Sequence, residues 1–283
     1  MAEEQRVATE PDVIKVIDDD GETVFVYRWR PASTPIAAVQ ILHGMGEHAR
    51  RYDHVAEALT GAGFVVYADD HRASGRTGAE GKGLGDLGPR GMAGALDAVY
   101  AVSGRIQREE PELPIFMLGH SWGSFLAQRY VDRWGAELAG LLLSGSTLLV
   151  LEYANLGDMN EPFAPGRTPY DWLSRDPVAV DRYIADPWCG LEVAFPFEEL
   201  LHLMGAPADT VPSTLPVLVF NGSMDAVGGW NRGGRALADA YRDLGLEDVT
   251  YSEYAEGRHE LFNETNRHEV IADVVAWLEK RST

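Results

Sequence analysis

Ser121, Asp225 and His259 lie far apart in the chain, yet each has the type and the local surroundings to take part in acyl transfer at a carbonyl. Ser121 sits in Gly119-His120-Ser121-Trp122-Gly123, behind the apolar run Pro114-Ile115-Phe116-Met117-Leu118 and ahead of the helix-like Ser124-Phe125-Leu126-Ala127-Gln128-Arg129-Tyr130. A G-x-S-x-G segment between a strand and a helix is a nucleophile elbow. Its glycines, lacking a Cβ, let strand and helix close on each other while the serine is forced into a strained turn. The hydroxyl is thereby pushed out of the sheet, and the free N–H groups at the helix start face any negative charge that forms there.

A serine hydroxyl is a poor nucleophile near neutral pH. It needs an imidazole to accept its proton and a carboxylate to orient that imidazole, and behind an elbow these follow in the order Ser, Asp, His. Of the eight histidines only His259 and His268 fall late enough. His259 lies in the glycine-containing loop Glu256-Gly257-Arg258-His259-Glu260, whereas His268 starts the last helix and reads as a solvated helix residue. Asp225 projects just beyond the buried run Val217-Leu218-Val219-Phe220 and the turn Asn221-Gly222-Ser223-Met224. Asp181 and Asp186 compete by order alone, but no strand precedes them, and they read as surface acids. Two backbone N–H groups must also bind the oxyanion: Trp122, next to the nucleophile, and Met45, in the flexible His43-Gly44-Met45-Gly46 loop.

These positions need a scaffold, and the pattern supplies an α/β one. Two short alternating runs, Val13–Val16 and Thr23–Tyr27, flank the turn signal Asp18-Asp19-Asp20-Gly21 and predict an antiparallel hairpin at a sheet edge. From Ala37 onward, apolar runs alternate with amphipathic stretches, the sign of a mostly parallel sheet with helices on both faces. Strands are expected at 38–42, 64–68, 115–118, 141–143, 217–220 and 249–251. Helices are expected at 52–59, 92–108, 124–134, 233–244 and 270–278. Between Ser146 and Leu215 no buried strand appears, and the stretch is rich in aromatics and prolines, too long for a plain connection. It predicts an inserted helical cap at 147–213 on a core of 1–146 and 214–283. Gly157 to Arg167 alone has the composition of an irregular loop.

The formal charge of -20, from 44 acidic against 24 basic residues, argues against nucleic acid or anionic lipid headgroups as partners. Cys189 is the single cysteine, which excludes an internal disulfide and fits a reducing compartment. The polar Met1–Arg6 stretch has no secretory pattern, and no apolar run approaches the roughly 20 residues of a membrane span, so the cytoplasm is the expected location. The histidines lack metal-ligand spacing, and Gly81, Gly83 and Gly85 follow no buried strand as a dinucleotide site requires; neither a metal nor an organic cofactor is expected. The oligomeric state is not readable.

His43-Gly44-Met45-Gly46-Glu47-His48 with Arg51-Tyr52 resembles the HGxGEH...RY signature of the monoglyceride lipase and lysophospholipase branch of the α/β-hydrolases, often grouped with serine aminopeptidases. Gly119 to Gly123, Gly222-Ser223-Met224-Asp225 and Gly257-Arg258-His259-Glu260 match that branch's elbow, acid and base blocks in order. The resemblance runs from Val24 to Trp277 and implies an α/β-hydrolase fold. It also implies a serine ester hydrolase acting on a small ester with an apolar acyl group, a monoacylglycerol or lysophospholipid by family precedent. His120, Tyr153 and Trp188 are the expected substrate contacts. Other activities of the fold, namely aminopeptidase, lactonase or cofactor-free peroxidase-like hydrolase, stay open beside it, as does a non-catalytic small-ligand receptor. Two departures bear on substrate rather than reaction. In Asp70-His71-Arg72-Ala73-Ser74-Gly75 the family's first glycine and its histidine are replaced, with Asp70 and Arg72 expected to tie the loop down. The large Trp122 follows the nucleophile and is expected to narrow the acyl pocket.

Overall fold

The alternation of apolar runs and amphipathic stretches closes into one layered body in the computed structural model, which describes residues 10–155, 157–230 and 232–282. The reading of Met1–Arg6 concerns residues outside that range. The described residues form an eight-stranded sheet: β1 (Asp12–Ile17), β2 (Thr23–Trp29), β3 (Ala37–Leu42), β4 (Phe64–Asp69), β5 (Ile115–His120), β6 (Gly140–Ser144), β7 (Val217–Gly222) and β8 (Val249–Tyr254). Their order across the sheet is β1-β2-β4-β3-β5-β6-β7-β8. The pairs β1–β2 and β2–β4 are antiparallel and the others parallel, so the expected hairpin does lie at one edge. Every residue of β3 to β7 is buried, because helices cover both faces and leave no side for polar residues.

The helices are α1 (Asp53–Gly61), α2 (Gly75–Glu80), α3 (Gly91–Glu109), α4 (Trp122–Trp134), α5 (Pro177–Ala185), α6 (Arg232–Asp243) and α7 (Arg267–Glu279). Successive side chains of a strand point to opposite faces, and the two cores follow from that. Phe116 and Leu118 of β5 pack with Val55 and Leu59 of α1 and Val270 and Val274 of α7. Met117 between them packs with Leu96 of α3, Leu126 of α4 and Leu237 of α6. Each such fully buried aliphatic or aromatic side chain contributes about 1.5–3 kcal/mol.

Three features differ from expectation. Strand β5 runs on to His120 and α4 starts at Trp122, so Ser121 alone joins them. The short α2 was not foreseen, since Gly75-Arg76-Thr77-Gly78 carries no apolar periodicity. Among the described residues of the segment between β6 and β7, expected to be helical, only the nine-residue α5 is α-helix. Short 3-10 turns stand at Leu151–Tyr153, Glu161–Phe163, Leu191–Val193 and Phe197–Leu203, joined by irregular chain. Pro162, Pro165, Pro169, Pro187 and Pro196 punctuate it too often for longer helices. Its own small core joins Trp172, Leu173 and Tyr183 with Met159, Phe163 and Tyr170.

The loop after β4 is tied as its polar residues suggest. Asp70 accepts from the N–H groups of Ala49 (2.9 Å) and Arg76 (2.7 Å) and from the Tyr27 hydroxyl (3.1 Å). Arg72, fully buried, reaches the turn of the β1–β2 hairpin and pairs with Asp18 and Asp20, each at 2.6 Å. Among the described residues no helix is long and apolar enough to cross a membrane.

Candidate active site

The carboxyl ends of the parallel strands are where an open α/β sheet receives ligands, and the three candidate side chains converge there. Ser121 holds φ 50° and ψ -122°, a strained conformation for a residue with a side chain. Its flanking glycines are obligatory. A Cβ on Gly119 would stand 2.6 Å from the Gly123 carbonyl oxygen, and one on Gly123 would stand 2.2 Å from that of Leu42. The Ser121 N–H donates to Ser144 O on β6 (2.9 Å), while its carbonyl accepts from Ser124 and Phe125 and so starts α4. Trp122 is the first residue of that helix, where an N–H has no intrahelical partner.

His259 and Asp225 are both buried, and Nδ1 of His259 donates to Oδ1 of Asp225 at 3.0 Å. The same oxygen accepts the Val227 N–H (2.9 Å), and Oδ2 accepts Nδ2 of Asn221 at 3.3 Å. Burial by itself would raise the Asp225 pKa, but the facing His259 charge and hydrogen bond hold it below the ordinary carboxylate range. Burial would likewise lower His259; the charge and hydrogen bond of Asp225, with Glu260 and Glu47 nearby, hold it above the ordinary imidazole range. Gly145, at φ +55°, makes room for this packing, since a Cβ there would stand 3.0 Å from the His259 ring and 2.9 Å from that of His120.

The loop after β3 borders the cavity beside these residues. His43 Nδ1 donates to Gly44 O (2.7 Å), and its Nε2 accepts the N–H of His71 (3.0 Å), so the partners assign the proton to Nδ1. Gly44 N–H donates to Glu47 Oε1 (2.6 Å). Carbonyl and N–H of a trans peptide point opposite ways. With Gly44 O drawn to the His43 ring, the Met45 N–H is turned to the other side.

Ser121, His259, Met45 and Trp122 all line one cavity, and His120 does as well. Burial, with repulsion from His259, pushes His120 down to about 4, so it is neutral at physiological pH. The Trp122 indole is buried, donates to Met92 Sδ (3.2 Å) and packs edge-on against Phe195, making it a fixed wall. The remaining lining is mostly apolar: Leu148, Leu191, Phe197, Leu200 and Met204 of the inserted segment, with Phe125 of α4. Two carboxylates also border it, Glu47 and Glu260, which Arg51 joins by bonds of 2.5 and 2.6 Å.

Two expected substrate contacts lie outside this lining. Tyr153 lines a separate surface groove with Ser223, Arg232 and Arg235. Trp188 packs edge-on against His48, ring centroids 5.6 Å apart, and lies outside the cavity lining. The competitors of the candidate triad are occupied elsewhere: His268 is exposed on α7, Asp181 pairs with Arg167, and Asp186 bonds His48 at 2.9 Å. Sequence reasoning gave no role to Glu47, Arg51, Glu260 or Trp172. The first two stood inside the HGxGEH...RY block, so a signal for them existed.

Among the described residues, His48, Asp186 and Cys189 bring possible metal-ligating atoms within 4.8 Å of one another. The imidazole and carboxylate already bond each other, and burial pushes the Cys189 thiol up and keeps it protonated. With the Gly190 N–H donating to Gly46 O (3.0 Å), the group reads as a tie between the inserted segment and the loop after β3.

Known proteins resemble this chain over most of its length. The family model described as "Serine aminopeptidase, S33" matches residues 33–266. A monoacylglycerol lipase of Mycolicibacterium smegmatis is 33% identical, covering 88% of this chain and 90% of its own. The monoglyceride lipase of Mus musculus is 30% identical, covering 95% and 91%. Among solved structures, a thermostable carboxyl esterase from Bacillus coagulans in complex with glycerol superimposes with a TM-score of 0.90 at 28% identity, over 97% of this chain and all of the other.

Proposed function

Because the chain belongs to the serine aminopeptidase S33 family, we propose that it is a serine ester hydrolase of the monoglyceride lipase type, with Ser121, His259 and Asp225 as its triad. The observation that carries this reading is the His259–Asp225 hydrogen bond of 3.0 Å beside a cavity that also holds the strained Ser121. With Nδ1 committed to Asp225, Nε2 of His259 is left to accept a proton. Ser121 Oγ adds to the ester carbonyl carbon as its proton passes to Nε2, and the N–H groups of Met45 and Trp122 take the oxyanion. Collapse breaks the ester C–O bond, and His259 returns the proton to the departing alcohol. Water then repeats the sequence on the acyl-enzyme and frees the acid.

The substrate we propose is a monoacylglycerol. Its acyl chain matches the apolar lining contributed by residues 147–213, which we read as a cap over a core of 1–146 and 214–283. Its glycerol hydroxyls can donate to Glu47 and Glu260. A lysophospholipid fits less well. Arg51, the cation at that end, is shared between two carboxylates, so a phosphate would meet net negative charge. The lone Cys189 supports a cytoplasmic setting, which cell fractionation tests.

Purified protein should release glycerol from monoolein faster than it deacylates lysophosphatidylcholine or an aminoacyl anilide, and a fluorophosphonate should label Ser121. Preference for the phospholipid would overturn the substrate assignment. Failure of wild-type protein to label or to cleave any ester would overturn the hydrolase reading itself.

A further inference from the structure

Two aromatic rings pack against the imidazole of His259. The His120 ring lies 4.7 Å away, centroid to centroid, and the Trp172 indole 5.1 Å away at an interplanar angle of 33°. Trp172 belongs to the 147–213 segment, is buried and lines the cavity. Its position relative to the imidazole is set by the backbone. The His259 N–H donates to Trp172 O (3.4 Å) and the Glu260 N–H to Leu173 O (2.8 Å). Arg258 Nη1 donates to Ser174 O (3.2 Å) and to the Asp171 carbonyl. The Trp172 N–H donates to Asn160 Oδ1 at 3.0 Å. Indole and imidazole therefore ride on two chain segments bonded directly to each other.

We propose that Trp172 is a positioning residue for His259, its indole fixing the imidazole and stabilising the imidazolium formed as Ser121 gives up its proton. This rests on the hydrolase reading above. A cation within about 6 Å of an indole centroid is attracted by the ring's quadrupole, more strongly when desolvated. A neutral imidazole gains far less, so the contact favours the charged state and lowers the barrier rather than tightening substrate binding.

The other groups facing His259 do not duplicate this. Asp225 acts at Nδ1 and Glu260 and Glu47 share Arg51, while neutral His120 offers no charge. The Arg258 guanidinium lies over the Phe163 ring, 4.2 Å from its centroid. The fit of Trp172 to the imidazole also links the cap to the chemistry, because the residue that covers the base belongs to the segment that covers the substrate.

The test compares Trp172→Leu with Trp172→Phe, with Trp172→Met as a second non-aromatic variant should the leucine protein fail to fold. The non-aromatic variants should lose on the order of tenfold in kcat with KM little changed. Their acidic limb of kcat/KM should move to lower pH, because a less stabilised imidazolium has a lower pKa. The phenylalanine variant should keep most of both. An unmoved limb, an upward shift, or a loss confined to KM would overturn the proposal and leave Trp172 a cavity wall. Wild-type protein that neither cleaves esters nor takes the fluorophosphonate would remove the underlying reading instead, so the two failures are told apart.

Discussion

Replacing Asp225 by asparagine separates two things a carboxylate does for an imidazole: hold its tautomer and balance its charge. An asparagine must put its oxygen at one of the two carboxylate positions and its NH2 at the other. Oδ1 faces two donors, the His259 Nδ1–H at 3.0 Å and the Val227 N–H at 2.9 Å, whereas Oδ2 faces only Asn221 Nδ2 at 3.3 Å. The amide oxygen therefore belongs at Oδ1 and the proton stays on Nδ1; the variant loses the charge and, at the Oδ2 position, sets its NH2 against Asn221 Nδ2 in place of the long hydrogen bond there. A unit charge about 4 Å from the forming imidazolium, at an effective dielectric near 20, is worth ~4 kcal/mol. That corresponds to a fall in kcat of about 10³, short of the roughly 10⁴ that accompanies a wrong tautomer. Hydrolysis of p-nitrophenyl butyrate across pH reads the result. His259 must be neutral to take a proton, and its raised pKa sets the acidic limb of the wild type above the ordinary imidazole value. Without Asp225, burial dominates and lowers that pKa, so the limb should move to lower pH while the plateau drops. A limb that stays in place would refute the charge argument, and undiminished kcat would exclude Asp225 as the acid.

Ser121→Ala should lower kcat by something on the order of 10⁶, as in triads that act as a unit, and abolish fluorophosphonate labelling; retained turnover would exclude Ser121 as nucleophile. Gly123→Ala, whose Cβ would lie 2.2 Å from Leu42 O, should prevent formation of folded protein. Gly61→Ala, where nothing lies within 4 Å, should be neutral or raise Tm slightly, and thermal melts of both check the steric argument. Glu264→Ala removes a fully buried carboxylate that accepts from Arg175 N (3.0 Å), Arg175 Nε (2.9 Å) and Arg258 N (2.9 Å). Leaving those donors unpaired should cost ~3–5 kcal/mol and lower Tm by roughly 10 °C, measured by calorimetry.

The parts of the site that were legible in the sequence share a physical cause. Ser121, Asp225 and His259 each stand in a short loop that follows a strand, and turn chemistry is local: Gly119 and Gly123 announce the elbow, Gly222 the acid turn, Gly257 the base loop. The buried strands were equally plain because helices on both faces leave them almost wholly apolar. The segment from 147 to 213 was opaque for the opposite reason. Its aromatics follow no period, so nothing local says which face the cavity: Tyr153 and Trp188 lie outside its lining, while Trp172 lines it and packs on His259. One signal there went unread. Asp176-Pro177, an N-cap followed by proline at the first helical position, marks the start of α5, and the Asp176 side chain accepts the Val178 N–H. Gly145 could not have been foreseen, since its need for a missing side chain comes from two rings brought in by other strands.

The ion cluster at the far edge of the sheet sets a rule for anyone who would shorten or recombine this enzyme. Arg72 has no access to solvent, and its counter-charges, Asp18 and Asp20, lie in the turn between the first two strands. Trimming that hairpin as ornament would strand a guanidinium inside the protein, at a penalty of several kcal/mol. Chimeras should therefore exchange the opening strands and the loop after β4 together, as one inseparable module.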